Sequence, residues 1–126
     1  MADTHPPAFL ALVDDAKTRI QEIHARDLAA TLAANPAAKL IDVREESEYA
    51  AGHVSNAEWL GKGVIERDIE HACPDGDEEL VLYCGGGFRS ALAADALQKM
   101  GYRKVCSLAG GWRAWVAGGG KVQRDS

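Results

Sequence analysis

Tyr83-Cys84-Gly85-Gly86-Gly87-Phe88-Arg89-Ser90 is the stretch on which the reading of this chain turns. It is entered through Glu79-Leu80-Val81-Leu82-Tyr83, an apolar run with no helical period, and left through residues 90–100, rich in alanine and leucine. A short apolar run bounded by turn residues reads as a buried strand, and the run of strong helix formers reads as a helix. A cysteine therefore sits where a buried strand ends, three glycines follow, and a helix begins. The first amides of a helix lack intrahelical partners and, with the helix dipole, favour negative charge. Glycines let the backbone visit positive φ and turn further N–H groups inward. Cysteines in such surroundings have pKa values of about 3.5–7.5 instead of about 8.5, and the thiolate is the nucleophile. Cys84 is thus the expected nucleophile, cradled by Gly85, Gly86, Gly87, Phe88 and Ser90, with the fixed charge of Arg89 at the lip. The plainer alternative is a small buried hydrophobe beside a turn. The strand–glycine–helix order favours the nucleophile.

Working outward, residues 8–19 carry apolar positions at helical spacing, which predicts a one-faced helix packed on the domain or on a partner. Its charges Asp14, Asp15, Lys17 and Arg19 read as a solvated face. An edge strand is expected at residues 20–23, a helix at 26–34 stopped by Asn35-Pro36, and a strand at 39–43. A short helix follows, closed by Gly52, then another from Val64 to His71, and a last strand at 104–108. Residues 118–126 read as a loosely held tail. The organisation expected is a helical extension over 1–19, one domain over 20–117, and that tail. Alternating strands and helices call for a small, mainly parallel sheet covered by helices on both faces, an α/β domain. In such sheets, sites form beyond the carboxyl ends of the strands.

The bulk properties narrow the classes. A length of 126 residues suits one core, and a net charge of −5 argues against nucleic acid or an anionic membrane as partner. No apolar run reaches the length of a membrane span, and the first residues lack the pattern of a secretory signal. Three cysteines without paired spacing suggest neither a disulfide framework nor a zinc site, so no metal or cofactor is expected and a reducing cytoplasm fits best.

Four blocks in order resemble the rhodanese-like sulfurtransferases: Asp42-Val43-Arg44-Glu45, Gly52-His53-Val54 with Asn56-Ala57, the Cys84 loop, and Leu108-Ala109-Gly110-Gly111-Trp112. The resemblance covers nearly all the chain after its first twenty residues. It implies an α/β rhodanese-like fold and a Cys84 that carries sulfur as a persulfide. The donor would be a small sulfur-containing anion such as thiosulfate. The acceptor would be cyanide in an assay and a thiol or protein sulfur acceptor in the cell. Related cell-cycle phosphatases use a loop one residue longer; the shorter spacing from Cys84 to Arg89 suits a single sulfur atom better than a tetrahedral phosphate. Phosphatase or arsenate chemistry therefore ranks below sulfur transfer. A non-catalytic binding module, or a sulfur carrier for one partner, remains as the alternative.

Other residues carry less. Asp42 and Arg44 match the family's Asp-x-Arg block as supporting residues, with Asp42 accepting N–H groups and Arg44 pairing with Glu48. His53 reads as a structural histidine and not as a base for Cys84. Lys62, between Gly61 and Gly63, falls by resemblance near the mouth, where it would attract an anionic donor; otherwise it is a solvated lysine on a bend. Trp59, Trp112 and Trp115 read as core packing, Cys106 as inert filling, and Cys73 as a residue of a polar loop. Monomer and homodimer both remain open.

Overall fold

The computed structural model describes residues 5–124 of the chain. Its elements, in order, are α1 (Pro7–Lys17), β1 (Gln21–His24), α2 (Ala25–Ala34), β2 (Lys39–Asp42), α3 (Glu46–Ala51), β3 (His53–Val54), β4 (Glu58–Trp59), α4 (Ile65–Ala72), β5 (Glu79–Tyr83), α5 (Phe88–Lys99), β6 (Lys104–Ala109), α6 (Gly111–Ala117) and β7 (Val122–Gln123). Five strands form one sheet in the order β1-β6-β5-β2-β4, and every pairing in it is parallel. The expected α/β architecture, a parallel sheet with helices on both faces, is the one the chain adopts.

β5 is the central strand, and its sequence explains why. A strand covered on both faces needs apolar side chains at consecutive positions. Leu80, Leu82 and Cys84 enter one core cluster with Ile65 and Ile69 of α4 and Ala94 and Leu97 of α5. Val81 and Tyr83 enter the other with Leu28 of α2, and Trp112 and Trp115 of α6 pack against it. Leu80, Val81, Leu82 and Tyr83 are all fully buried, and each such side chain contributes about 1.5–3 kcal/mol of burial free energy. The two-residue period of the strand thus delivers Cys84 to the α5 face.

Several features sharpen or correct the sequence reading. The apolar face of α1 packs on α5 of its own chain, with Val13 and Ala16 buried. Arg19, read as part of a solvated face, bonds both oxygens of Asp95 at 2.9 Å and Asp15 at 2.8 Å, fastening α1 to α5. The tail is partly held: β7 pairs antiparallel with β3, and the Lys121 carbonyl accepts bonds from Ser55 N and Trp115 Nε1. A two-residue strand is too short to show any period. Residues 1–4 of the extension and 125–126 of the tail lie outside the described residues. Cys73, placed in a polar loop by composition, is fully buried in the α4–α5 core, where its carbonyl accepts the Tyr102 hydroxyl.

Candidate active site

Cys84 leaves β5 at the level where the chain turns into α5. Its Sγ accepts N–H bonds from Gly87 at 3.2 Å and Ser90 at 3.3 Å, and the Ser90 hydroxyl lies 3.4 Å away. Gly87 is the N-cap of α5 and Ser90 its third residue, so the sulfur occupies the position of a capping acceptor at the positive end of the helix. Ser90 is held in turn by Ser107 of β6 through a 2.8 Å hydroxyl–hydroxyl bond, with both residues fully buried. Three elements therefore converge on one sulfur.

The loop is less unusual in backbone than three glycines suggest. Only Gly87 among them has positive φ, at 96°. A Cβ there would meet the Gly110 nitrogen at 3.1 Å, so conformation and space both call for glycine. The outer side of the loop is clamped by α6, where Trp112 N bonds the Cys84 carbonyl at 2.7 Å and Arg113 N bonds the Gly85 carbonyl at 3.1 Å. Gly111 makes this approach possible, because a Cβ on it would overlap the Cys84 carbonyl oxygen, and its φ is 53°.

Above the loop lies a cavity of about 450 Å³. Cys84, Gly85, Gly86, Phe88 and Arg89 form its floor and one side. Arg89 is bonded to Glu48 through Nη1 at 3.0 Å and Nη2 at 3.4 Å, which holds the Glu48 carboxyl below the usual carboxylate range. A second cation is contributed from α6: Arg113 lines the cavity with Nη1 above Gly86. The glycine loop contains no cation of its own except Arg89, and the sequence reading missed Arg113 because helix α5, strand β6 and a glycine turn separate it from the loop. The remaining wall comes from the N-terminal segment, His5, Pro6 and Phe9.

Asp42 and Arg44 lie behind the loop and do not line that cavity. Asp42 is fully buried and accepts from Arg44 N at 2.9 Å, from the Arg44 guanidinium at 2.7–3.1 Å, and from the Tyr83 hydroxyl at 2.7 Å. Arg44 also bonds the Gly52 carbonyl at 2.6 Å and lies over the Trp112 ring. The expected Arg44–Glu48 pair is thus replaced by Arg44–Asp42, leaving Glu48 to Arg89. Burial and the Asp42 charge push the Tyr83 hydroxyl pKa up, so it stays a donor. Breaking such a buried pair costs about 3–5 kcal/mol, so this network fixes the ends of β2 and β5 that carry the site.

Lys62 does not line the cavity; its N–H bonds the Val43 carbonyl at 3.0 Å in the turn before α4. His53 stacks on Tyr49 at 3.7 Å with its Nδ1 2.9 Å from the Tyr49 carbonyl, as a structural histidine does. Trp112 and Trp115 pack on the core, and Trp59 caps the Arg44 carbonyl from a partly exposed position. Burial pushes the Cys106 thiol up to about 11 and raises that of Cys73 as well.

Residues 24–118 match the model of the rhodanese-like domain family. The thiosulfate sulfurtransferase GlpE of Coxiella burnetii is 32% identical over 78 residues, covering 62% of this chain and 71% of that protein. YqhL of Bacillus subtilis, an uncharacterized protein, is 34% identical over 86 residues, 68% of this chain and 64% of that one. The chain spans 61% and 64% of the length of the first two curated relatives it matches. Among solved structures, a protein of unknown function from Rhodopseudomonas palustris, described as a possible tyrosine phosphatase, superposes with a TM-score of 0.79 at 29% identity. That alignment covers 98% of this chain and 99% of the other. No helix among the described residues is long and apolar enough to cross a membrane.

Proposed function

The chain belongs to the family of rhodanese-like domains, and from that premise we propose that it is a sulfurtransferase working through a persulfide on Cys84. The observation that carries this reading is the sulfur at the floor of a cavity, accepting N–H bonds from Gly87 and Ser90 beneath two arginines. The Cys84 thiolate attacks the outer sulfur of thiosulfate or a similar sulfane donor. A bond forms between the two sulfurs, the donor's sulfur–sulfur bond breaks, and sulfite leaves with the electron pair. An acceptor nucleophile then attacks the outer sulfur of the persulfide, and the thiolate returns.

The chain's own groups serve each stage. The Gly87 and Ser90 amides are already aimed at Sγ, so charge on it is met without reorganisation. Arg89, oriented by Glu48, and Arg113 face the cavity where the anionic donor and its leaving group would sit. Ser107 fixes Ser90 and so the distance from the third helical amide to the sulfur.

Intact-mass spectrometry after exposure to thiosulfate tests the reading. The wild type should gain the mass of one sulfur atom and lose it to cyanide as thiocyanate, and Cys84→Ser should do neither. Release of phosphate from an aryl phosphate, without thiocyanate formation, would replace sulfur transfer with the activity suggested for the R. palustris neighbour.

A further inference from the structure

Helix α1 lies before the span that matches the family model, which begins at residue 24, yet its end builds one side of the Cys84 cavity. His5 stands 4.6 Å from the Phe88 ring, edge-on, and 5.2 Å from Phe9; Phe9 stands 6.2 Å from Phe88. Three aromatic rings thus form a continuous wall, and Lys17 Nζ lies 5.4 Å over the Phe88 ring. The helix that bears Phe9 is fixed in place: Val13 and Ala16 are buried against α5, and Arg19 is bonded to Asp95. A preformed wall costs a ligand no ordering.

The cavity is therefore two-sided. Arg89 and Arg113 supply its charge, and His5 and Phe9 of the N-terminal segment join Phe88 of the loop as its aromatic part, around about 450 Å³. That volume falls in the range of about 300–1,000 Å³ typical of sites for organic ligands, and thiosulfate would fill only a small part of it. Thiosulfate also offers nothing apolar to the rings.

We propose that α1 makes the site selective for organic sulfane donors of the thiosulfonate class, R–SO2–S⁻ with an aromatic R group. The R group lies against His5, Phe9 and Phe88, and the sulfonyl oxygens face Arg89 and Arg113. The inference rests on the sulfur-transfer reading and names the donor class for it. The Cys84 thiolate bonds the terminal sulfur, the bond between the donor's two sulfurs breaks, and the electron pair leaves on the sulfinate R–SO2⁻. Each side carries two negative charges, and neither an oxidant nor a proton is needed.

The experiment measures kcat/KM for benzenethiosulfonate and for thiosulfate, with cyanide as acceptor, in the wild type, Phe9→Ala, His5→Ala and Leu12→Ala. The wild type should favour the aryl donor about tenfold, equivalent to about 1.4 kcal/mol. Phe9→Ala should erase most of that ratio. His5→Ala, which precedes the helix, should lower it too, and covers the case in which the Phe9 variant folds poorly. Leu12, 57% exposed on α1 and outside the cavity, should leave the ratio unchanged. A wild type that prefers thiosulfate, or a ratio untouched by both wall variants, overturns the inference while sulfur transfer stands. Turnover of neither donor, or undiminished transfer by Cys84→Ser, removes the sulfur-transfer reading and the inference with it.

Discussion

Gly111→Ala places one methyl group where the fold has no space for it. A Cβ at residue 111 would overlap the Cys84 carbonyl oxygen and stand 3.0 Å from the carbonyl carbons of Cys84 and Gly85, so α6 or the loop must retreat. The retreat breaks or stretches the 2.7 Å bond from Trp112 N to the Cys84 carbonyl and the 3.1 Å bond from Arg113 N to the Gly85 carbonyl. Leaving a buried carbonyl unsatisfied costs about 1–3 kcal/mol. Alanine held at a φ of 53° adds about 1–2 kcal/mol. The sum, about 2–5 kcal/mol, should lower the melting temperature by roughly 6–20 °C for a chain of this size. Sulfur transfer should fall further than stability, because a 1 Å misplacement at a reacting centre can cost about a hundredfold. Thermal unfolding followed by circular dichroism measures the first effect, and thiocyanate formation well below the melting temperature measures the second. Gly63→Ala, where nothing lies within 4 Å of the added Cβ, is the control. A Gly111→Ala protein with wild-type melting temperature and wild-type transfer would refute the claim that α6 clamps the loop through these carbonyls.

Two further outcomes follow from burial and charge. All three cysteines are buried, Cys84 included, but only the Cys84 sulfur accepts the Gly87 and Ser90 amides beside the cavity. Native protein treated with iodoacetamide at pH 8 and mapped by peptide mass should therefore be alkylated first at Cys84, with Cys106, its thiol pushed up to about 11, and Cys73, its thiol also raised by burial, reacting more slowly. Arg19 holds the Asp95 and Asp15 carboxyls below the usual carboxylate range, so the unfolded chain binds more protons there and stability rises with pH across that window. The contribution is complete above the unfolded carboxylate pKa and lost as pH falls through the depressed folded values. Asp95→Asn should therefore have a lower denaturation midpoint than wild type at pH 7, with the gap closing toward pH 2; a gap constant with pH would contradict the linkage.

The fold was legible where one element's sequence carried its own environment. β5 reads as a strand buried on both faces because Leu80 to Tyr83 leave no polar position, and the structure puts alternate residues into two separate cores. The helix after the glycines announces itself through alanine and leucine. What stayed hidden depends on distant partners. The short helix α6 follows a glycine pair and owes its place to the packing of Trp112 and Trp115 on the second core. β7 is two residues long and exists only because β3 lies beside it. Cys73 sits among turn residues, and nothing local shows that Tyr102, 29 positions on, will close over it.

The candidate site divides along the same line. Cys84, its glycines, Arg89 and Ser90 are contiguous, so a nucleophilic cysteine could be expected there from the strand–glycine–helix order, while the sulfur chemistry came from the resemblance to the rhodanese-like family. Ser107, Gly111, Arg113 and Phe9 reach the loop from β6, α6 and α1, and no period in the sequence joins them to it. Their arrangement resolves a difficulty that composition raises. On the proposed sulfur-transfer reading, a chain of net charge −5 has to admit an anionic donor against its own field. Arg89 alone would do this weakly, since Glu48 lies against it at 3.0 Å. Arg113 above Gly86 places further positive charge in the cavity wall, beside the low-dielectric aromatic rings that focus it. The selectivity of such a site is then set less by the loop that carries the chemistry than by the two helices that lean over it.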